Sequence, residues 1–213
     1  LFKDSKGLSE FELGLAKITS SELLEIFNDY SSLYKELENE AAHFSKILIG
    51  NEQINSVKFR VKNPAHLLVK IVRKRKEALQ KGDTSSAYLK INVSNYKQII
   101  TDLIGIRGIY LFKAYWKKID EDICDNFIIF DQHDVCIFHG PEDDLDFYHP
   151  NEFVKSINTK KIRYIRVERP TKYRSTHYIL QTNLPEIKFE LQIRSILGGV
   201  SKSMLKKSRL NFD

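Results

Sequence analysis

Cysteine is scarce in this chain: 2 in 213 residues, Cys124 and Cys136, twelve positions apart. Neither a disulfide framework nor a CxxC-type zinc site can be built from them, so a reducing, cytoplasmic setting is expected. No apolar run reaches the roughly 18 residues that a membrane helix needs, and the opening "LFKDSKGLSE" lacks a signal-peptide core. A membrane partner is therefore not expected. The first residue is Leu1, as in a trimmed protein. A Walker A loop, a GxGxxG turn, an HExxH pair and a nucleophile elbow are all missing, as are repeats and low-complexity tracts. One local absence points further. Between Lys58 and Lys76 stand eight basic residues, Lys58, Arg60, Lys62, Lys70, Arg73, Lys74, Arg75 and Lys76, and no acid.

Like charges three or four residues apart on a helix repel by a few tenths of a kcal/mol per pair, so an acid-free run implies a counter-charge from elsewhere. Phosphates are one supplier; plain solvation of Arg73 to Lys76 is the bland alternative. The whole chain leans the same way, with 34 Lys and Arg against 28 Asp and Glu, a net +6. Nucleotides or RNA suit that balance, and so does ordinary solubility. At 42% hydrophobic the chain is long enough for one well-packed domain.

Apolar residues from Leu23 to Leu48 recur at three and four residue spacing, which predicts a long amphipathic helix over Ser20 to Leu48 capped by Ser20 or Ser21. A short strand around Phe59 precedes a helix with Asn63 as N-cap, Pro64 first and Gly82 near its end. Ser94 is expected to cap a short helix that Gly105 breaks, after which "IRGIYLF" reads as a buried strand, leaving Asp102 near the junction. Trp116 to Ile123 suggests a helix, "NFIIF", "VCIFH" and "IRYIRV" suggest strands, and "GPEDDLDFYHPN" an acidic surface loop. "KYRSTHYILQT" and "IKFELQIRSI" flank "NLPE" as a hairpin would. This order of helices and strands predicts an α+β fold, or α/β, with a mixed sheet. Organisation as a single domain, 1–213, is expected, with 1–50 an N-terminal helical segment and 58–196 the core.

In "FELQIRSI" Phe189, Leu191 and Ile193 alternate with Glu190, Gln192 and Arg194, so one strand face carries a carboxylate, an amide and a guanidinium. Tyr173, Ser175 and His177 share a face of the preceding strand by the same period. Asp102 and Glu190 are the acids hardest to explain as surface. On neighbouring strands two carboxylates beside basic groups could hold a magnesium ion bridging substrate phosphates; the alternative is ordinary ion pairing with Arg107 or Arg194.

The ordered set "RVKNPAHLLVKI", "ITDLIGIRGIYLF", "KYRSTHYIL" and "FELQIRSI" resembles the RelA/SpoT-type alarmone synthetase domain over about Lys58 to Ile196. The resemblance implies a nucleotidyltransferase-like mixed sheet flanked by helices, and transfer of the β,γ-pyrophosphate of ATP to the 3′-hydroxyl of GDP or GTP to make (p)ppGpp. By the same resemblance Asp102 would ligate Mg2+, and Glu190 would help hold the metal or take the proton of the attacking hydroxyl, the two residues carrying the catalysis. Arg60 would lie against the adenine of ATP, with Lys62 and Lys70 at its phosphates. Tyr173 would stack on the acceptor base, with His177 and Gln192 beside it.

Three departures stand out. Lys172 occupies the place of a glycine usual before the stacking tyrosine, His66 that of a small hydroxyl residue, and "LGGVSKSMLKKSRLNFD" lacks the Trp and His of the family's closing helix. A toxic relative that pyrophosphorylates the 3′ end of tRNA, or makes an adenine alarmone, is the second reading; Lys172, Lys202, Lys206, Lys207 and Arg209 would then track the tRNA backbone. A catalytically dead nucleotide- or RNA-binding module is a third. The long helix also offers a face for an antitoxin or other regulatory protein. No histidine-aspartate hydrolase domain is present, and the sequence leaves the oligomer open.

Overall fold

The computed structural model describes residues 8–130, 132–157, 160–170 and 174–197. Helix α1 (Glu10–Ala16) starts on Ser9, whose side chain accepts from the Glu12 N–H, and ends at Lys17 in the left-handed conformation. Helix α2 (Ser20–Ile49) is the long amphipathic helix expected from the spacing. Its cap is Thr19, one residue ahead of the predicted serines: the Glu22 N–H donates to Thr19 Oγ1, while Glu22 Oε2 accepts from the Thr19 N–H and hydroxyl. This reciprocal box satisfies two otherwise orphaned donors, which neither serine could do from inside the first turn. Leu23, Ile26, Tyr30, Leu37, Ala41, Phe44 and Leu48 are the stripe it buries.

Strand β1 (Ile54–Val61) leads into helix α3 (Pro64–Lys81), where Asn63 accepts from the N–H groups of Ala65 and His66 and Gly82 closes the end at φ 65°. Both signals act where the sequence put them. Helix α4 is short (Tyr96–Ile99) and begins after Asn95, since Ser94 is tied instead to the Asn92 side chain. The chain is extended again by Ile100, so Gly105 lies inside strand β2 (Ile104–Phe112) and breaks nothing. Helix α5 (Trp116–Asn126), β3 (Val135–His139), β4 (Phe153–Ile157), β5 (Lys160–Glu168), β6 (Ser175–Gln181) and β7 (Lys188–Leu197) complete the order. "NFIIF" is not a strand. It touches the sheet through one bridge, Ile129 to Leu180. Strand β4 carries no alternation strong enough to announce it.

Among the described residues seven strands form one sheet in the order β1-β2-β7-β6-β3-β5-β4. It is mixed: β3 runs parallel to β5 and antiparallel to β6, and β4 is antiparallel to β5. The fold is therefore α+β with a mixed sheet and helices. By contacts the chain divides into two compact units. The first gathers the segment up to Ala41, Arg60–Ile104 and Thr182–Lys188, and so holds α1, most of α2, α3 and α4. The second gathers Ala42–Phe59, Gly105–Gln181 and the chain from Phe189, and holds most of the sheet together with α5. In the second unit Phe44 stacks on Phe189 at 4.7 Å between ring centres, and Gly108 is approached so closely by Ile193, Leu48 and Ile54 that only a hydrogen fits.

Candidate functional site

The motif residues gather into two side-chain clusters, one in each unit. In the first unit, Asn63 starts α3 in a way that puts Lys62 just ahead of the helix and Lys70 two turns along it. The Tyr30 hydroxyl donates to the Lys62 carbonyl at 2.6 Å, and the Lys62 N–H donates to the Leu103 carbonyl at 2.8 Å. Residue 62 is thereby tied to the residue after Asp102. Both ammonium groups reach the same carboxylate: Lys70 Nζ lies 2.6 Å from Asp102 Oδ1 and Lys62 Nζ 3.0 Å from Oδ2. Burial works to raise the Asp102 pKa, but Lys70 and Lys62 more than offset it and hold the carboxyl below its usual value. Lys62, His66, Val69, Lys70, Arg73, Lys74 and Asp102 line one open groove of about 410 Å³.

In the second unit, His177 of β6 and Glu190 of β7 meet, with His177 Nδ1 2.9 Å from Glu190 Oε1. A carboxylate only accepts, so this contact places the proton on Nδ1. Phe138 of β3 packs edge-on against the His177 ring at 4.7 Å. Gln192, two residues along from Glu190 and so on the same face, accepts from Arg107 of β2 at 3.3 Å. Asp102 pairs with Lys62 and Lys70 rather than with the Arg107 or Arg194 of the bland reading. Arg60 is exposed at the end of β1. Tyr173, Lys172 and the tail from Gly198, with its basic residues, lie outside the described residues.

Six of the eight basic residues of the acid-free segment have partners inside the protein, with three acids, Asp102, Glu77 and Glu12, among them. Lys62 and Lys70 use Asp102, Arg73 and Lys74 share Glu77, and Lys76 pairs with Glu12. Arg75 is buried and donates to the carbonyls of Ala16, Lys17, Tyr88 and Leu89. The inference of an absent counter-charge is narrowed accordingly. Glu77 sits one residue past the segment, and Glu12 is brought in by a fold contact that no local pattern reveals.

Two buried carboxylates escaped the sequence reading. Asp143, in the loop expected to be plain surface, is almost wholly buried and accepts from Lys113, Arg174 and the Gly140 N–H. Burial pushes its pKa up and these donors pull it below the usual value. Asp120 of α5 takes the hydroxyls of Tyr164 and Tyr178 on Oδ1, with His149 and Lys155 at Oδ2. Four acids in the five residues "EDDLD" give no sign of which one turns inward.

Among the described residues no group of three His, Cys, Asp or Glu side chains could hold a metal. Magnesium does not require one. It commonly takes one or two carboxylates and completes its shell with water and substrate phosphates. Asp102 is a hard oxygen donor, and each of its oxygens, having one ammonium partner, keeps a second lone pair. It fits such an ion.

No family model matches the chain, and no curated protein matches it. Among solved structures, small alarmone synthetase 1 from Bacillus subtilis is 16% identical over 84% of this chain and 74% of its own, with a TM-score of 0.39. The same enzyme bound to its product pppGpp is 15% identical over 87% and 80%, with a TM-score of 0.37. A GTP pyrophosphokinase family protein from Streptococcus pneumoniae is 16% identical over 91% and 79%, with a TM-score of 0.34. At these values the likeness carries no inference about chemistry, which rests on the motif residues and the two clusters they form.

Proposed function

We propose that the chain is a pyrophosphokinase that transfers the β,γ-pyrophosphate of ATP to the 3′-hydroxyl of GDP or GTP. The observation that carries this reading is the Lys62–Asp102–Lys70 cluster: two ammonium groups and one carboxylate, from two separate motifs, on one groove. That is the equipment phosphoryl-group chemistry asks of a protein, namely charge neutralisation and positioning with little covalent participation.

In the proposed reaction the acceptor 3′-oxygen attacks the β-phosphorus of ATP, the bond to the α–β bridging oxygen breaks, and AMP leaves. Lys62 and Lys70 neutralise the donor phosphates, and Arg60 offers a planar face to the adenine. Tyr173 stacks on the acceptor base. Gln192 and His177 orient the acceptor, and Glu190 accepts the proton of the 3′-hydroxyl while its bond to His177 holds the carboxylate in one rotamer. A magnesium ion, held by Asp102 and the phosphates, would supply further charge stabilisation at the transferring group.

Purified protein is offered ATP labelled in the β,γ-pyrophosphate together with magnesium and, side by side, GDP, GTP, ATP and deacylated tRNA. Label is expected in a guanine tetra- or pentaphosphate, and its loss is expected in Asp102→Ala and Glu190→Ala. Label appearing only on tRNA or on an adenine nucleotide would move the assignment to those acceptors, and no label on any of them would end it.

A further inference from the structure

Both oxygens of Asp102 already have cationic partners, Lys70 at 2.6 Å on one and Lys62 at 3.0 Å on the other. The two lysines have no other carboxylate within reach among the described residues, and all three side chains are at least three-quarters buried, so water screens the triad poorly. Among the residues that line the groove four are cations, Lys62, Lys70, Arg73 and Lys74, and one is an acid, Asp102, while Glu77 beside them pairs with Arg73 and Lys74. A bare divalent cation approaching it meets repulsion from the ammonium groups before it meets the carboxylate. A polyphosphate meets the reverse: several anionic oxygens compete for each lysine against one carboxylate that two lysines share.

From this the geometry points to a nucleotide-gated carboxylate: Lys62 and Lys70 close Asp102 to divalent cations, and a nucleotide polyphosphate, by drawing the two ammonium groups onto itself, opens it. The polyphosphate thus makes its own metal ligand. The lysines act as positioning residues for Asp102 as well as phosphate contacts, and the cation enters after the nucleotide or with it. Arg73 and Lys74, which share Glu77, can exchange partners in the same way at the groove's outer end. The gate rests on the pyrophosphokinase reading for the identity of the polyphosphate, while the triad itself does not depend on which acceptor is used.

The test uses Mn2+ alone as the probe, its binding to the full chain followed by electron paramagnetic resonance at neutral pH. Lys62→Gln, Lys70→Gln and the double variant are compared with the unmodified chain, each with and without Asp102→Asn. The double variant is expected to bind Mn2+ about tenfold or more tightly in the absence of nucleotide. Asp102→Asn should remove that gain. Affinity unchanged or lowered in the lysine variants overturns the gate. Should the double variant fail to fold by circular dichroism, the two single variants decide the matter by the same criterion, each with a smaller gain. Failure of the proposed reaction is seen separately, as a normal Mn2+ response with no label transferred to any acceptor.

Discussion

Arg75 shows how a residue can be read correctly by type and wrongly by purpose. Its guanidinium is buried and spends its N–H groups on the carbonyls of Ala16, Lys17, Tyr88 and Leu89, joining the end of α1 to the 3-10 turn at Ala87–Lys90 through α3. Burial lowers its pKa, and the carbonyls replace the water it has lost. Arg75→Met would take the guanidinium donor from those carbonyls, and a loss of about 3 kcal/mol in urea unfolding is expected; Arg75→Lys, with three donors in place of a planar fork, should recover only part of it. The sequence could not give this role, because its partners lie up to 59 residues away. Lys62, Lys70 and Asp102 were legible because their motifs fix their spacing, although nothing in one dimension said that they touch. Glu190 makes the sharper chemical test at this scale. Glu190→Gln keeps shape and an acceptor but not the base, so kcat should fall by roughly a hundredfold or more with nucleotide affinity little changed. An equal loss in affinity would mean that Glu190 only binds.

At the level of elements, legibility followed how local each signal is. Asn63, Pro64 and Gly82 bound α3 because capping is decided within four residues. The cap of α2 was missed by one residue because the box at Thr19 and Glu22 outcompetes a serine cap; Thr19→Ala should lower stability by about 1 kcal/mol, measured by the shift of the denaturation midpoint. β4 and the single bridge of "NFIIF" were misjudged because pairing partners, not intrinsic alternation, decide which extended segments join a sheet. Gly108 is the clearest case. A glycine inside "IRGIYLF" announces a close approach but not to what. The answer is that an added Cβ would stand 2.9 Å from Ile193 Cδ1 of β7 and 3.1 Å from Leu48 Cδ2 of α2. Gly108→Ala should therefore cost about 1–3 kcal/mol, and a companion Ile193→Val should return part of it by removing the methyl it strikes.

For the molecule as a whole, the +6 charge says less than the way single carboxylates are held, and that has a measurable consequence in acid. Asp29, Asp102 and Asp143 are each pushed up by burial and pulled further down by their donors: Tyr96 and Lys97, Lys70 and Lys62, and Arg174 and Lys113 in turn. Glu22 is lowered first by the Thr19 N–H. In every case the folded pKa is below the unfolded one, whose ordinary value is 3.8 for the aspartates and 4.5 for Glu22. In the window between the two, the unfolded chain binds more protons, so stability falls as pH falls. These contributions are complete above the ordinary values and are lost as pH drops through the folded ones. The urea midpoint is thus expected to change little from these groups between about pH 7 and pH 5, and to decline steeply below about pH 4. The donors of Asp29 and Asp102 lie in the first unit and those of Asp143 in the second, so acid weakens each unit by its own carboxylates. Asp102→Asn separates one share from the rest. At neutral pH it should be less stable, since Lys62 and Lys70 lose their common partner, yet its decline below pH 4 should be shallower because the group that titrated there is gone. Parallel curves for the two proteins below pH 4 would show that Asp102 is not held by its lysines in solution, and the gate proposed on them would fall with it.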